Sequence, residues 1–232
     1  MTASDSSAVV STYVVPPLST RLSRAAGALF ELARDPSQLE QVFVVGEALN
    51  APRIVKALAR LEADPRASKL LKDRPRIDSA HVDFDALERL PDGTLGREYV
   101  RFLRDNGITP DVFQLPKVGD ERIAYVMMRV RQTHDLWHVL TGYSPDVTGE
   151  VLLQAFTFAQ LRMPSALALT FVGTVRFGWR TKGFFPRLRA AFRRGNATKS
   201  LATFRWEERW AESVERLRVE LTCPSEAAAL AA

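Results

Sequence analysis

The 232-residue sequence predicts an all-α fold, a single-domain multi-helix orthogonal bundle. Three observations carry that expectation. Apolar residues recur every three or four positions along most of the chain, prolines and glycines punctuate those runs, and no stretch shows sustained strand alternation. With 46% apolar residues the chain can bury a large core, and 25% charged residues is ordinary for a globular protein. No Gly-rich linker or internal repeat divides it. Residues 1–19 therefore read as a mobile N-terminal arm, 20–222 as one helical domain and 223–232 as a tail.

Taken in order, "TRLSRAAGALFELARDP" has a Thr20 cap, an apolar face and Pro36 beyond its end. "PSQLEQVFVVGEALN" follows and closes near Asn50. "PRIVKALARLEADP" and "RASKLLKDRP" read as two further short helices, each stopped by a proline. After an Asp-Gly turn a helix runs from about Thr94 to Asn106-Gly107. The next spans about Gly119 to Thr141, with Ile123, Met127, Val130, His134, Trp137, His138 and Thr141 on one inward face. Gly142 and Pro145 end it, and Thr148 is placed to cap its successor. "TGEVLLQAFTFAQLRM", "PSALALTFVGTV" and a short basic helix after Pro186 come next. "TFRWEERWAESVERLRVEL" closes the domain as one helix, with Trp206, Trp210, Val214, Leu217 and Leu221 as its stripe.

Net charge is +5, distributed unevenly. Between Glu150 and Glu207 there is no acidic residue, while ten basic ones occur: Arg162, Arg176, Arg180, Lys182, Arg187, Arg189, Arg193, Arg194, Lys199 and Arg205. Such asymmetry predicts a positive face for an anionic partner. "RFGWRTKGFFPRLRAAFRR" joins cations to Trp179, Phe184, Phe185 and Phe192, a combination suited to an anionic membrane surface. It holds no base-reading motif, which argues against nucleic acid. "VLLQAFTFAQL" and "ALALTFVGTV" are apolar on more than one face, as a deep core or the wall of a lipid channel would be. The lone Cys223 excludes an internal disulfide framework, and no apolar run reaches the length of a spanning helix. The first 20 residues lack Lys and Arg, so the expected location is cytoplasmic, in a bacterial protein.

"HDLWHVLTGYSPDVTGE" places His134 and His138, two of the three histidines, four residues apart. On a helix their Cβ atoms stand about 5–6 Å apart. Two imidazole nitrogens can then converge on one ion at ~2.0–2.1 Å. Glu150 falls in the first turn of the following helix, which should run back beside the first and bring its carboxylate to the same place. Two imidazoles and a carboxylate with open positions are a common metal-site pattern. On spacing alone two readings stand: a metal pair, or core imidazoles with satisfied hydrogen bonds. Asp135 has a plain alternative partner in Arg131, four residues earlier. A metalloprotease helix would carry Glu after its first His, and this one carries Asp. His81, in the polar turn "IDSAHVDFD", is excluded from the site.

"HDLWH", eleven residues and Glu150 together resemble the signature of the coenzyme Q (ubiquinone) biosynthesis protein four family, His-Asp-x-x-His, eleven residues, Glu. "LEADPRASKLLKDRPRI", "LPDGTLGREYVRFLRDNGITPD", "IAYVMMRVRQTHDLWHVLTG" and "WEERW…ESVERLRVEL" resemble further family blocks, in family order, over roughly residues 20 to 222. The resemblance implies metal ligation by His134, Asp135, His138 and Glu150, with zinc or another divalent metal, iron included. It also implies oxidative decarboxylation at C1 of a polyprenylated hydroxybenzoate-type quinone precursor, with His134, Asp135 and Glu150 as catalytic residues. The alternative it leaves is a non-catalytic, lipid-binding scaffold with a structural metal. Other ubiquinone biosynthesis enzymes and a second copy of the chain are the implied partners, at the surface of the bacterial inner membrane. Asp135 sits 100° from His134 on an ideal helix, so joint ligation needs a favourable rotamer, whereas a role as proton acceptor does not.

Overall fold

The structure is a computed structural model that describes residues 14–112, 116 and 118–231. Most of the expected N-terminal arm, residues 1–13, lies outside the described residues. The described chain is an all-α bundle of eleven helices, in which an isolated bridge between Thr94 and Ser213 is the only β pairing among the described residues.

Helix α1 (Leu18–Arg34) starts after Pro17, two residues before the expected Thr20 cap, and buries Ala25, Ala28 and Leu32 against α2 (Leu39–Ala63). The expected break near Asn50 is absent, because α2 runs through Pro52. A proline inside a helix costs about 3 kcal/mol in isolation. Burial of Asn50 and Ala51 offsets that cost here, and the Asn50 amide clasps Ser165 through Nδ2 to Oγ at 2.7 Å and Ser165 N to Oδ1 at 3.0 Å. Helix α3 (Pro65–Asp73) packs on α2, and the short α4 (Phe84–Glu88) is capped by Asp83 and packs on α5 (Leu95–Asp105).

Helix α6 (Glu121–Thr141), capped by Asp120, lies at the centre. It was expected to bury one stripe, yet Ala124, Tyr125, Val126, Met128 and Leu136 are buried as well, while Val130 and His134 are only half-buried. Its N-terminal half joins Ile54 and Leu58 of α2 with Leu70 and Leu71 of α3. Its C-terminal half joins the main core, where Leu136, Trp137 and Leu140 meet residues of α5, α7 (Val147–Leu161), α9 (Phe184–Ala197) and α10 (Val214–Leu221). Helix α8 (Pro164–Phe177) packs on α7 and α2.

The apolar α7 is core: Val151, Leu152, Leu153, Ala155 and Phe156 are buried. Helix α8 is different, since it buries Ser165, Ala166 and Gly173 and exposes Leu167, Phe171 and Val175. Of the ten cations in the acid-free span, Arg162, Arg176, Arg180, Lys182, Arg189, Arg193 and Lys199 are exposed. Arg187 and Arg205 form ion pairs with Glu226 and Asp73, and Arg194 is buried. Phe184 likewise belongs to the core and not to a surface segment.

The expected final helix is interrupted. Trp206–Glu208 form a single 3-10 turn, and α10 begins only at Val214, after the Ser213 cap. The reason is the N-terminus of α5, whose first amides need acceptors. Leu95 N donates to Glu212 O at 2.7 Å and Gly96 N to Trp210 O at 2.9 Å. Residues 210–212 thus satisfy another helix instead of continuing their own. The last residues, expected as a tail, include α11 (Glu226–Ala231), which packs on α9.

Gly96 lets these segments meet. A Cβ there would come within 2.9 Å of Leu87 and Leu90 side chains and 3.2 Å of Trp210 O. Gly96→Ala is expected to destabilise the protein by roughly 1–3 kcal/mol, read as a lower urea midpoint; an unchanged midpoint would dismiss this packing account.

Candidate metal centre

The site is built by the junction of α6 and α7. Gly142 ends α6 in the left-handed conformation at φ 77°, where its N–H bonds His138 O. Five residues later α7 begins, and its cap is Asp146, not the expected Thr148: Asp146 accepts from Gly149 N at 2.8 Å. Ser144 Oγ donates to the other Asp146 oxygen at 2.6 Å. A Cβ at Gly149 would stand 1.9 Å from Ser144 O, so only glycine permits so tight a return. This geometry turns the first turn of α7, and with it Glu150, toward the inward side of α6.

His134, His138 and Glu150 each offer a donor atom, and these atoms all lie within 4.8 Å of one another. His134 Nε2 is 3.2 Å from Glu150 Oε2, and His138 Nε2 is 3.0 Å from Glu150 Oε1. The two rings stand edge to face with centroids 5.0 Å apart. Donors at tetrahedral positions around an ion, each at ~2.0–2.1 Å from it, stand about 3.3 Å apart, so these separations suit one shared cation. His138 is fixed from both sides: Phe102 stacks on its ring at 5.3 Å, and its Nδ1 donates to Tyr143 O at 3.0 Å. That bond leaves Nε2 facing the carboxylate. A lone pair opposed to a carboxylate oxygen is repulsive unless a positive charge, proton or metal ion, lies with them. The donor set therefore fits a divalent cation.

Burial decides what each group does. The side chain of His138 is 1% exposed, that of His134 27% and that of Glu150 41%, so the trio opens on one side. Burial is the largest influence on His134 and favours its neutral form, but the charge and hydrogen bond of Glu150, with the charge of Asp135, outweigh it and raise its pKa. Burial is also the largest influence on Glu150 and would raise it. The charges and hydrogen bonds of both imidazoles prevail and hold it far below the usual carboxylate range. Asp135 goes the other way: burial is the largest influence and, with repulsion by Glu150, outweighs the lowering attraction of both histidines, so its pKa is raised.

Three of the four expected ligands come together, and Asp135 is not in that group. Arg131, the plain alternative partner for Asp135, instead pairs with Glu47 of α2 at 3.2 Å and lies over Phe43. The reason is directional: Asp135 is buried on α6, whereas Arg131 reaches the neighbouring helix. His81 is exposed and bonds Asp78 at 2.5 Å, outside the site as expected. Phe102 and the Tyr143 carbonyl were missed. The only sequence signal for Tyr143 was its place just after the helix-ending Gly142.

Protons would compete with a metal ion for these donors, and the signs differ. In metal-free protein, the contribution of His134 is full below its ordinary value of 6.5 and is lost as pH rises through its raised folded value. That of Glu150 is full above 4.5 and is lost as pH falls through its depressed one. With a chelator, stability from this pair should therefore decline as pH is raised above 6.5. The stabilisation conferred by added zinc should grow over the same range. Thermal melts with and without metal check this, and a zinc effect that shrinks with rising pH would contradict it. Gly149→Ala is expected to lower both melting temperature and zinc affinity.

Comparison with known proteins places the chain in a family. The sequence profile described as "Coenzyme Q (ubiquinone) biosynthesis protein Coq4" matches residues 13–225. The mitochondrial ubiquinone biosynthesis protein COQ4 homolog of Xenopus tropicalis is 34% identical over 219 residues, covering 94% of this chain and 78% of that protein. The Homo sapiens homolog, also mitochondrial, is 33% identical, covering 85% and 76%. Among solved structures, a protein of Nostoc punctiforme PCC 73102 described as a candidate ubiquinone biosynthesis protein superposes with a TM-score of 0.69 at 27% identity, over 86% of this chain and 97% of that one. The expected bacterial cytoplasmic location is overturned, since these curated relatives are named as mitochondrial. That expectation leaned on the absence of Lys and Arg from the first 20 residues. With the profile spanning nearly all of the helical domain, and relatives of this identity matched over most of their length, the chain belongs to the coenzyme Q (ubiquinone) biosynthesis protein Coq4 family.

Proposed function

We propose that this ubiquinone biosynthesis protein is an enzyme that exchanges the C1 carboxyl of a polyprenylated hydroxybenzoate-type intermediate for a hydroxyl, using a divalent metal held by His134, His138 and Glu150. The observation that carries the reading is the incompleteness of the donor set. Structural zinc sites are closed by four protein ligands, whereas catalytic ones keep three and leave a position open. Among the described residues three donors converge, with the Glu150 side of the trio toward solvent.

A bound zinc or iron ion would supply Lewis-acid charge toward carboxylate or phenolic oxygens of the substrate. The exchange breaks the C1–carboxyl bond with loss of carbon dioxide and forms a C1–oxygen bond. It is a two-electron oxidation of the electron-rich ring: water supplies the hydroxyl oxygen, and dioxygen takes up the two electrons with two protons and leaves as hydrogen peroxide. Within the chain, Glu150 stays ionised, His138 is locked by Phe102 and the Tyr143 carbonyl, and the more exposed His134 borders the open side. Asp135, with its raised pKa and its electrostatic contact with all three, is the group assigned to hold and pass the proton.

The lipid part of the proposal rests on α8. A groove of about 450 Å³ between α8 and the end of α1 is lined by Ala33, Phe171, Val172, Val175 and Trp179 together with Arg176 and Arg180. Trp179 is 79% exposed and Phe171 67%. Apolar side chains interleaved with cations suit an anionic membrane surface on which a prenylated substrate lies. No helix among the described residues is long and apolar enough to cross a membrane. A homodimer and contacts with other enzymes of the pathway belong to the same proposal.

Glu150→Gln and His134→Ala should leave the fold intact and cause the C1-carboxylated intermediate to accumulate in cells that depend on this protein. Normal ubiquinone in both variants would defeat the enzyme reading. Loss of the fold in both would favour a scaffold with a structural metal. Binding to liposomes should require anionic lipid, weaken with salt and fall at least several-fold in a Phe171→Ser/Trp179→Ser variant; indifference to lipid charge would remove the membrane role.

A further inference from the structure

Arg194 does not join the basic surface that its neighbours form. It is 5% exposed, on α9, and among the described residues it makes no ion pair. Burying a guanidinium without a carboxylate is costly, and an apolar side chain of similar size would be cheaper to bury. Among the described residues its Nε and Nη1 reach no carboxylate or carbonyl, and the guanidinium has the side chains of Tyr143 and Cys223 as further polar neighbours. What it does contact is the end of α6. Nη2 donates to Thr141 O at 2.9 Å and to Pro224 O, and the guanidinium carbon lies 4.8 Å from the centroid of the Tyr143 ring. A cation is favoured both at a helix C-terminus and over an aromatic face.

Tyr143 is the residue whose carbonyl holds His138 Nδ1 at 3.0 Å. Its ring is 3% exposed, so the side chain is gripped while the peptide beside it orients the imidazole. We infer that Arg194 is a positioning residue: by clamping the Thr141–Tyr143 segment it aims His138 Nε2 at the position shared with Glu150. This rests on the metal reading above. Partners that orient a ligating imidazole alter metal affinity by about 10–100-fold when removed. Arg218 supplies a control, because it grips the same helix end through Leu140 O at 2.8 Å and Val139 O at 3.0 Å without lying on Tyr143.

The test compares full-length wild type with Arg194→Met, Arg194→Lys, Tyr143→Leu and Arg218→Met. Cobalt(II) affinity is measured by chelator competition, cobalt absorption reports coordination geometry, and the metal-free melt reports the fold. Arg194→Met should stay helical, lose roughly ten-fold or more in affinity and change the cobalt spectrum. Arg194→Lys should recover part of the loss, and Arg218→Met should lower the melt while retaining affinity. If Arg194→Met cannot fold, Tyr143→Leu should show the same loss and spectral change. Affinity within two-fold of wild type in the folded variant, or an equal loss in Arg218→Met, overturns the inference. A wild type that takes up no cobalt sinks the metal reading by itself. Arg194 is then judged by the downfield Nδ1–H proton resonance of His138 in metal-free protein, which should broaden in Arg194→Met and whose persistence unchanged refutes the positioning role.

Discussion

The five-residue reversal between α6 and α7 is the constraint on which the rest of the molecule depends. It brings Glu150 back onto the face of α6 that carries His134 and His138, and it succeeds only because three local devices act together. Gly142 leaves the helix through a positive φ, Asp146 accepts the Gly149 amide in the first turn of the next helix, and Gly149 lets the chain pass against Ser144 O. Each device is short-range, yet together they set a distance between donors on two different helices. An error of one ångström in that distance would separate a shared cation from one of its ligands.

Around this reversal the bundle supplies rigidity by satisfying backbone groups. The last four carbonyls of an α-helix have no partner within it. For α6 these belong to His138, Val139, Leu140 and Thr141, and all four are used: the first by Gly142 N, the next two by Arg218 and the last by Arg194. Two guanidinium groups thus stand at the negative end of the helix macrodipole, one turn from a site that concentrates titratable groups. The same accounting explains the irregular stretch near Trp210, whose carbonyls serve α5. Helices in this protein are interrupted where another helix needs their backbone.

Charge in the acid-free span does two different jobs. Exposed cations alternate with exposed aromatics on α8 and α9, where they form a surface. Arg187, Arg194 and Arg205 turn inward and tie α9 and the following segment to Glu226, to the end of α6 and to Asp73. A net charge of that size over one stretch describes a field, but it does not say which cations create it.

Much of the molecule was legible in the sequence for a physical reason: helix period, stop signals and the i, i+4 spacing of His134 and His138 are properties of adjacent residues. They were enough for the all-α class, for α5, α6 and α7 within about two residues, and for the pairing of two imidazoles with Glu150. Local rules failed wherever a distant segment offered a better bargain. Pro52 stays helical because Asn50 reaches Ser165, and "TFRWEERWAESVERLRVEL" breaks because α5 takes the carbonyls of Trp210 and Glu212. Arg131 turns to Glu47, and Phe184 enters the core. The sequence alone therefore determined which residues carry donor atoms of the kind a cation takes. Only the tertiary structure decided that the donor atoms of His134, His138 and Glu150 converge with Asp135 buried beside them, and that Phe102 and the Tyr143 carbonyl hold the His138 ring. Donor chemistry belongs to a residue, but convergence belongs to the packing of helices far apart in the chain.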